Sequence, residues 1–226
     1  MRVRVLVAAC TAALVAGLAA LPDTRAYPPA VGIVGPSRDC LACHTQSGSW
    51  GDQRHTIIDL LDANTRASLR QRDGSFLIQV ARGERRTIVT VIGRAAGDRS
   101  PPPERNAWHY VDPTQLATSS ISRFAPGWDV SLPMSCRLVG DSVPEYVGAR
   151  VTSLPMTVRP GDAARDATIE LQVMLTAGQS VKGSAIEGMR SSYHVRHVRL
   201  RVVDPPTTPI PAAPPVPAPP RPGRRP

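Results

Sequence analysis

The stretch Asp166 to Leu175 alternates without a break, with Ala167, Ile169, Leu171, Val173 and Leu175 on one side and Thr168, Glu170, Gln172 and Met174 on the other. A period of two is that of a β-strand with one face turned to a core. Such a face must be covered by a second sheet or by helices, and no long helical period is available here to cover it. His194 to Val203 alternates in the same way, with Val198, Leu200 and Val202 against His197, Arg199 and Arg201, and it closes on Asp204-Pro205. Val195 is out of phase, which predicts a bulge near Arg196. Phe76 to Ala81 and Arg86 to Ile92 flank Arg82-Gly83-Glu84-Arg85 and read as a hairpin, preceded by an Asp73-Gly74 turn. Arg150 to Val158 is a further strand, which Pro155 assigns to an edge or a bulge. Thr56 to Leu61 reads as a strand on its β-branched content. Short apolar runs cut by turn residues predict a mainly β chain, a β-sandwich over residues 56–204. The Pro101-Pro102-Pro103 run does not divide it, because the roughly forty residues before it are too few for a sandwich of their own.

Both ends of the 226-residue chain fall outside this pattern. Residues 1–26 open on Arg2 and Arg4, run through an apolar stretch from Val5 to Leu21 and end on Ala26, the layout of a cleavable export signal. An uncleaved membrane anchor is the alternative, since the apolar run approaches spanning length. Residues 205–226 hold 11 of the 24 prolines, a tail expected to be disordered because it has almost nothing with which to build a core. The formal charge of +9 divides accordingly: a net +2 lies in the first 26 residues and +3 in the last 22, leaving +4 for residues 27–204. Lys182 is the single lysine among 27 basic residues. No basic stripe is formed, and a nucleic-acid partner is not expected.

Between the signal and the sandwich lies a short irregular segment, residues 27–55, whose Pro28, Pro29, Gly32, Gly35 and Pro36 exclude a helix. It carries Cys40-Leu41-Ala42-Cys43-His44, the C-x-x-C-H sequence that attaches haem c. The two thiols add across the two vinyl groups, the two intervening residues match their spacing, and the histidine places an imidazole on one axial side of the iron. An exported chain suits this chemistry. A thioredoxin-like redox pair would need its cysteines at a helix start in a βαβ setting. A zinc site would need more ligands than His55 and the distant Cys136. A plain Cys40–Cys43 disulfide is the remaining structural alternative.

In these five positions the chain resembles the cytochrome c superfamily, and the resemblance implies one covalent haem c, with Cys40 and Cys43 as thioether attachments and His44 as proximal iron ligand. The helices that flank the motif in a compact cytochrome are missing. Asp73-Gly74-Ser75-Phe76-Leu77-Ile78, Gly83 and the following Thr/Val/Ile strand are similar instead to immunoglobulin-like and carboxypeptidase-regulatory-like sandwiches, over about forty residues. For the distal position Met134 leads. It follows Leu132-Pro133, and a proline before a methionine fixes a ligand loop. Met156, in the echoing Ser153-Leu154-Pro155-Met156, and His55 are the alternatives. The Tyr27 amine is another, because cleavage after Ala26 would start the mature chain at Tyr27-Pro28, and cytochrome f is similar in outline with a Tyr-Pro start whose amine binds iron. His109, His194 and His197 read as structural or solvent-facing, and Trp50, Ile57 and Leu60 as packing for haem or for core.

Together these features predict an exported, periplasmic monohaem electron carrier rather than an enzyme, working with a periplasmic redox protein and touching the inner membrane only if the N-terminal segment stays uncleaved. The alternatives are a haem subunit or small-ligand-binding module of an exported oxidoreductase, and a haem-free immunoglobulin-like interaction domain.

Overall fold

Nine strands run through the computed structural model, which describes residues 40–42, 44–115, 124–179, 181 and 187–203. They are β1 (Thr56–Asp62), β2 (Phe76–Ala81), β3 (Arg86–Arg94), β4 (Arg105–Val111), β5 (Trp128–Val130), β6 (Met134–Leu138), β7 (Arg150–Pro160), β8 (Ala167–Gly178) and β9 (Met189–Val203). The expected signal (residues 1–26), Tyr27, Cys43 and the proline-rich tail lie outside the described residues. Among the described residues, no helix is long and apolar enough to cross a membrane.

The strands form two sheets, β1-β3-β7-β5 and β2-β9-β8-β4-β6. The inner faces meet in one core that includes Phe76, Ile78, Ile88, Ile92, Trp108, Tyr110, Leu171, Val173 and Val198. The protein is therefore a β-sandwich, and the neighbours β1-β3-β7-β5 and β9-β8-β4 follow the two sheets of the immunoglobulin sandwich. Two polar bridges tie the sheets through this core. Asn106 Nδ2 donates to the Ile92 carbonyl at 2.8 Å and to Thr152 Oγ1 at 2.7 Å, and Thr90 and Tyr110 share a 2.6 Å hydroxyl bond. The Asn106 amide hydrogens and the two hydroxyls thus have partners across the interface, while Asn106 Oδ1 has no hydrogen-bond partner among the described residues.

Two local expectations change. β2 and β3 are not a hairpin: β2 pairs in parallel with β9, and β3 lies between β1 and β7 in the other sheet. Both strands turn apolar residues inward, so they face each other across the core. The Arg82–Arg85 link is an arch between sheets, with Gly83 at φ 79° and its N–H donating to the Pro160 carbonyl at 2.9 Å. β9 has no bulge at Arg196, since its pairing with β8 runs in register from Met189 to Leu200. Val195 is out of phase because it lies on the outer face of its sheet beside Gln172, whose side chain is itself buried. Pro155 meets the edge expectation. Ser153 N–H and the Thr157 backbone turn away from β3 to Asp141 and Ser131, so alternation points the missing Pro155 N–H to the same open side.

Candidate functional site

The motif segment is wound at its start. Cys40–Ala42 form a 3-10 turn, and His44 N–H donates to the Cys40 carbonyl at 3.0 Å. One turn of chain thus brings His44 round above Cys40. The turn packs against β8, on the outer face of the five-stranded sheet.

The chain beyond it is tied down at successive points. Gly48 N–H donates to the Ser191 carbonyl at 2.6 Å, and a β-carbon on Gly48 would stand 2.7 Å from the Ser191 carbonyl carbon. Only glycine admits so close an approach. Trp50 N–H donates to Ser192 Oγ at 3.0 Å, and its indole N–H to the Pro101 carbonyl at 2.6 Å. The Trp50 carbonyl accepts from His194 Nε2 at 2.9 Å. Arg94, 2% exposed, donates to the Asp52 carbonyl at 3.1 Å and to Thr56 Oγ1. Its Nε meets Asp98 Oδ2 at 2.6 Å, and this guanidinium bond holds the Asp98 carboxyl down to about 2. A buried cation is expensive unless paired and hydrogen-bonded, and Arg94 is both.

The surface under the motif is the outward row of β4, β8, β9 and β6. On β4, Trp108 and Tyr110 point to the core, so Ala107, His109 and Val111 point outward. Exposure does not follow. His109 is 4% exposed and Val111 0%, and on β8 Gln172, Met174 and Thr176 are 1%, 0% and 3% exposed. His109 is paired with Gln172 on one side and Met134 on the other, and directly opposite residues share a face. Cys40 Sγ lies 3.7 Å from His109 Nδ1.

The residues singled out in the sequence separate clearly. Cys40 and His44 sit on the covered face, and Cys43 lies outside the described residues. His44 is half-buried, with its pKa lowered by burial, and its Nδ1 has no hydrogen-bond partner among the described residues. Met134 is half-buried on β6 in the row of His109. Met156 is 2% exposed in the core between the sheets, which closes it off from the motif's face. His55 is engaged by Asp52 at 2.5 Å on the loop before β1. Trp50 and Leu60 belong to the inter-sheet core, and Ile57 packs with Leu61, Val91, Val143 and Val151 outside the first sheet. Cys136 is an exposed thiol on β6, opposite Ala107. Among the described residues no group of three His, Cys, Asp or Glu side chains is placed to hold a bare metal ion.

His109 is not solvent-facing: it lies in the outward row of β4 with Arg105, Ala107 and Val111 and is buried there, a placement that the phase of β4 leaves open until something is known to lie on that row.

No protein-family model matches the chain, and no curated protein is significantly similar to it.

Proposed function

We propose that the protein is an exported monohaem c-type cytochrome that passes single electrons between periplasmic redox proteins. The observation that carries the reading is the C-x-x-C-H motif, whose Cys40–Ala42 turn packs on the covered outer face of the five-stranded sheet. Cys40 and Cys43 would hold the haem through thioethers, and His44 would bind its iron.

The side chains present suit that group. Burial lowers the His44 pKa and so favours the neutral imidazole, the form that binds metals. Met174, Ala107 and Val111 are apolar side chains of this face and the His109–Gln172–Val195 row is uncharged, as a large apolar macrocycle needs, with Glu170, bonded to Gln172, and Arg105 at the two ends of the patch. When bound, haem supplies one-electron ferric–ferrous cycling, with a potential governed by axial ligands and burial. The chain's own part is to orient His44 through the Cys40–His44 turn and to fix the segment to the sandwich through Gly48, Trp50 and Arg94. The sheet face excludes water from one side of the site.

The test is expression with the native leader in a host that matures c-type cytochromes. A pyridine haemochrome spectrum with a covalently increased peptide mass is expected, as is loss of both in Cys40→Ala/Cys43→Ala. Reversible one-electron reduction by voltammetry is the functional readout, and N-terminal sequencing should begin at Tyr27. A colourless product of unmodified mass would end the haem reading and leave the immunoglobulin-like interaction domain.

A further inference from the structure

We infer that His109, not Met134, is the iron's second axial ligand. This rests on the haem reading above, and the argument for His109 itself is geometric. A thioether at Cys40 joins its sulfur directly to the rim of the macrocycle, and that sulfur already lies 3.7 Å from the His109 ring. Any haem carried by Cys40 therefore borders His109. Two axial ligands must approach iron from opposite faces. His44 belongs to the motif turn and His109 to the sheet beneath it, so the two can approach from opposite sides.

The surroundings favour His109 over its neighbour. β4 is flanked by β8 and β6, whereas β6 is the edge of the sheet. His109 is accordingly 4% exposed, and Met134 is only half-buried. Beside His109 on this face stand Ala107, Val111 and the fully buried Met174, with the amide of Gln172 opposite it turned to the Glu170 carboxyl at 2.8 Å, so the imidazole is the strong nitrogen donor of this part of the face. Met134 then becomes a packing neighbour at the rim. Two imidazoles also place the potential below that of a histidine–methionine pair, because a methionine ligand raises it.

The experiment uses the full chain, matured with haem, and reads ligands rather than activity. Near-infrared magnetic circular dichroism of the ferric protein separates imidazole–imidazole from imidazole–thioether and imidazole–amine pairs. The wild type should show the bis-imidazole signature and lack the far-red charge-transfer band of a methionine–iron bond. Met134→Leu should keep that spectrum and potential. His109→Leu should turn the ferric haem high-spin, and added imidazole should restore the low-spin bands. A methionine or amine signature in the wild type overturns the assignment, as does a high-spin wild type, a Met134→Leu protein that loses its low-spin bands, or a His109→Leu protein that keeps them. Each of these leaves covalent haem in place, so the haem reading survives; absence of covalent haem overturns both. If His109→Leu fails to accumulate, His109→Met is the second variant, expected to gain the methionine band, and its absence overturns the assignment.

Discussion

His194 makes the attachment of the motif segment sensitive to pH. It is 3% exposed on β9, with Nε2–H donating to the Trp50 carbonyl at 2.9 Å and Nδ1 accepting from Gln53 Nε2 at 3.0 Å. That pattern uses a neutral ring, and a second proton would meet the amide donor of Gln53. Burial lowers the pKa from 6.5 to about 4, outweighing the opposing effect of the Trp50 carbonyl, and Arg196 and Arg94 each add a smaller repulsion. Between these two values the unfolded chain binds more protons than the folded one, so stability is full above 6.5 and falls as the pH drops toward 4. At about 1.36 kcal/mol per pH unit the loss reaches up to about 3 kcal/mol. Urea unfolding from about pH 7 to about pH 4.5, wild type against His194→Gln, isolates this contribution. Gln retains a donor for the Trp50 carbonyl. Asp98 and the other carboxyls held below their usual range titrate lower and are common to both proteins, as is His44. The variant should lose less stability than wild type over this interval, by about 2–3 kcal/mol. Parallel profiles would refute the reasoning.

Gly48→Ala sets a β-carbon against the Ser191 backbone, 2.7–2.8 Å away, and should cost about 1–3 kcal/mol; weakened hydrogen-exchange protection at the Gly48 and Trp50 amides reads it, and unchanged protection counts against a docked segment. Met156→Ala should cost about 2–5 kcal/mol in urea unfolding through its core cavity while leaving the haem spectrum unchanged; a spectrum that changes would return Met156 to the iron. Arg66 and Glu145 form a bidentate pair at 2.8 and 2.7 Å, but both side chains are partly exposed, at 38% and 27%. Arg66→Ala should therefore shift unfolding by no more than about 1 kcal/mol, and a larger loss would mean that the turn carrying Glu145 depends on the pair.

Alternation was the legible part of the fold. β8 and β9 write their inward faces in Ile, Leu and Val, and β1 is readable from its β-branched start. Strand partners were not legible at Arg82–Arg85, because a four-residue link between two amphipathic strands serves a hairpin or an arch equally well. The choice is made by β9, more than a hundred residues downstream, which takes β2 as its parallel neighbour. The motif was legible because its five residues are contiguous. Its surroundings were not, since His109, Gln172 and Met174 become one surface only through pairings that join β4 to β6 and β8. Val195 shows the same limit: its apolar side chain on an outward position looks like a register fault until the outer face is known to be covered.

That covered face also bears on where the folding unit begins. A boundary at residues 55 and 56 separates the motif segment from the sandwich on composition. Yet Trp50 is 1% exposed within the inter-sheet core, and its backbone is bonded to Ser192 and His194 on β9. Arg94 on β3 meets the carbonyls and hydroxyl of the same segment. Removing this stretch would empty a tryptophan-sized space at the sandwich end and leave the Arg94 guanidinium short of acceptors, each a cost of several kcal/mol. Ser191, Thr176 and Gln172, buried but uncharged, are what strands carry when their outer face meets backbone and small polar groups rather than water or a third apolar layer. The motif segment is thus built into the sandwich, its Cys40–Ala42 turn on the outer face of the five-stranded sheet and its Trp50 between the two sheets, and a cofactor held at the turn would rest on the same sheet whose other face builds the core.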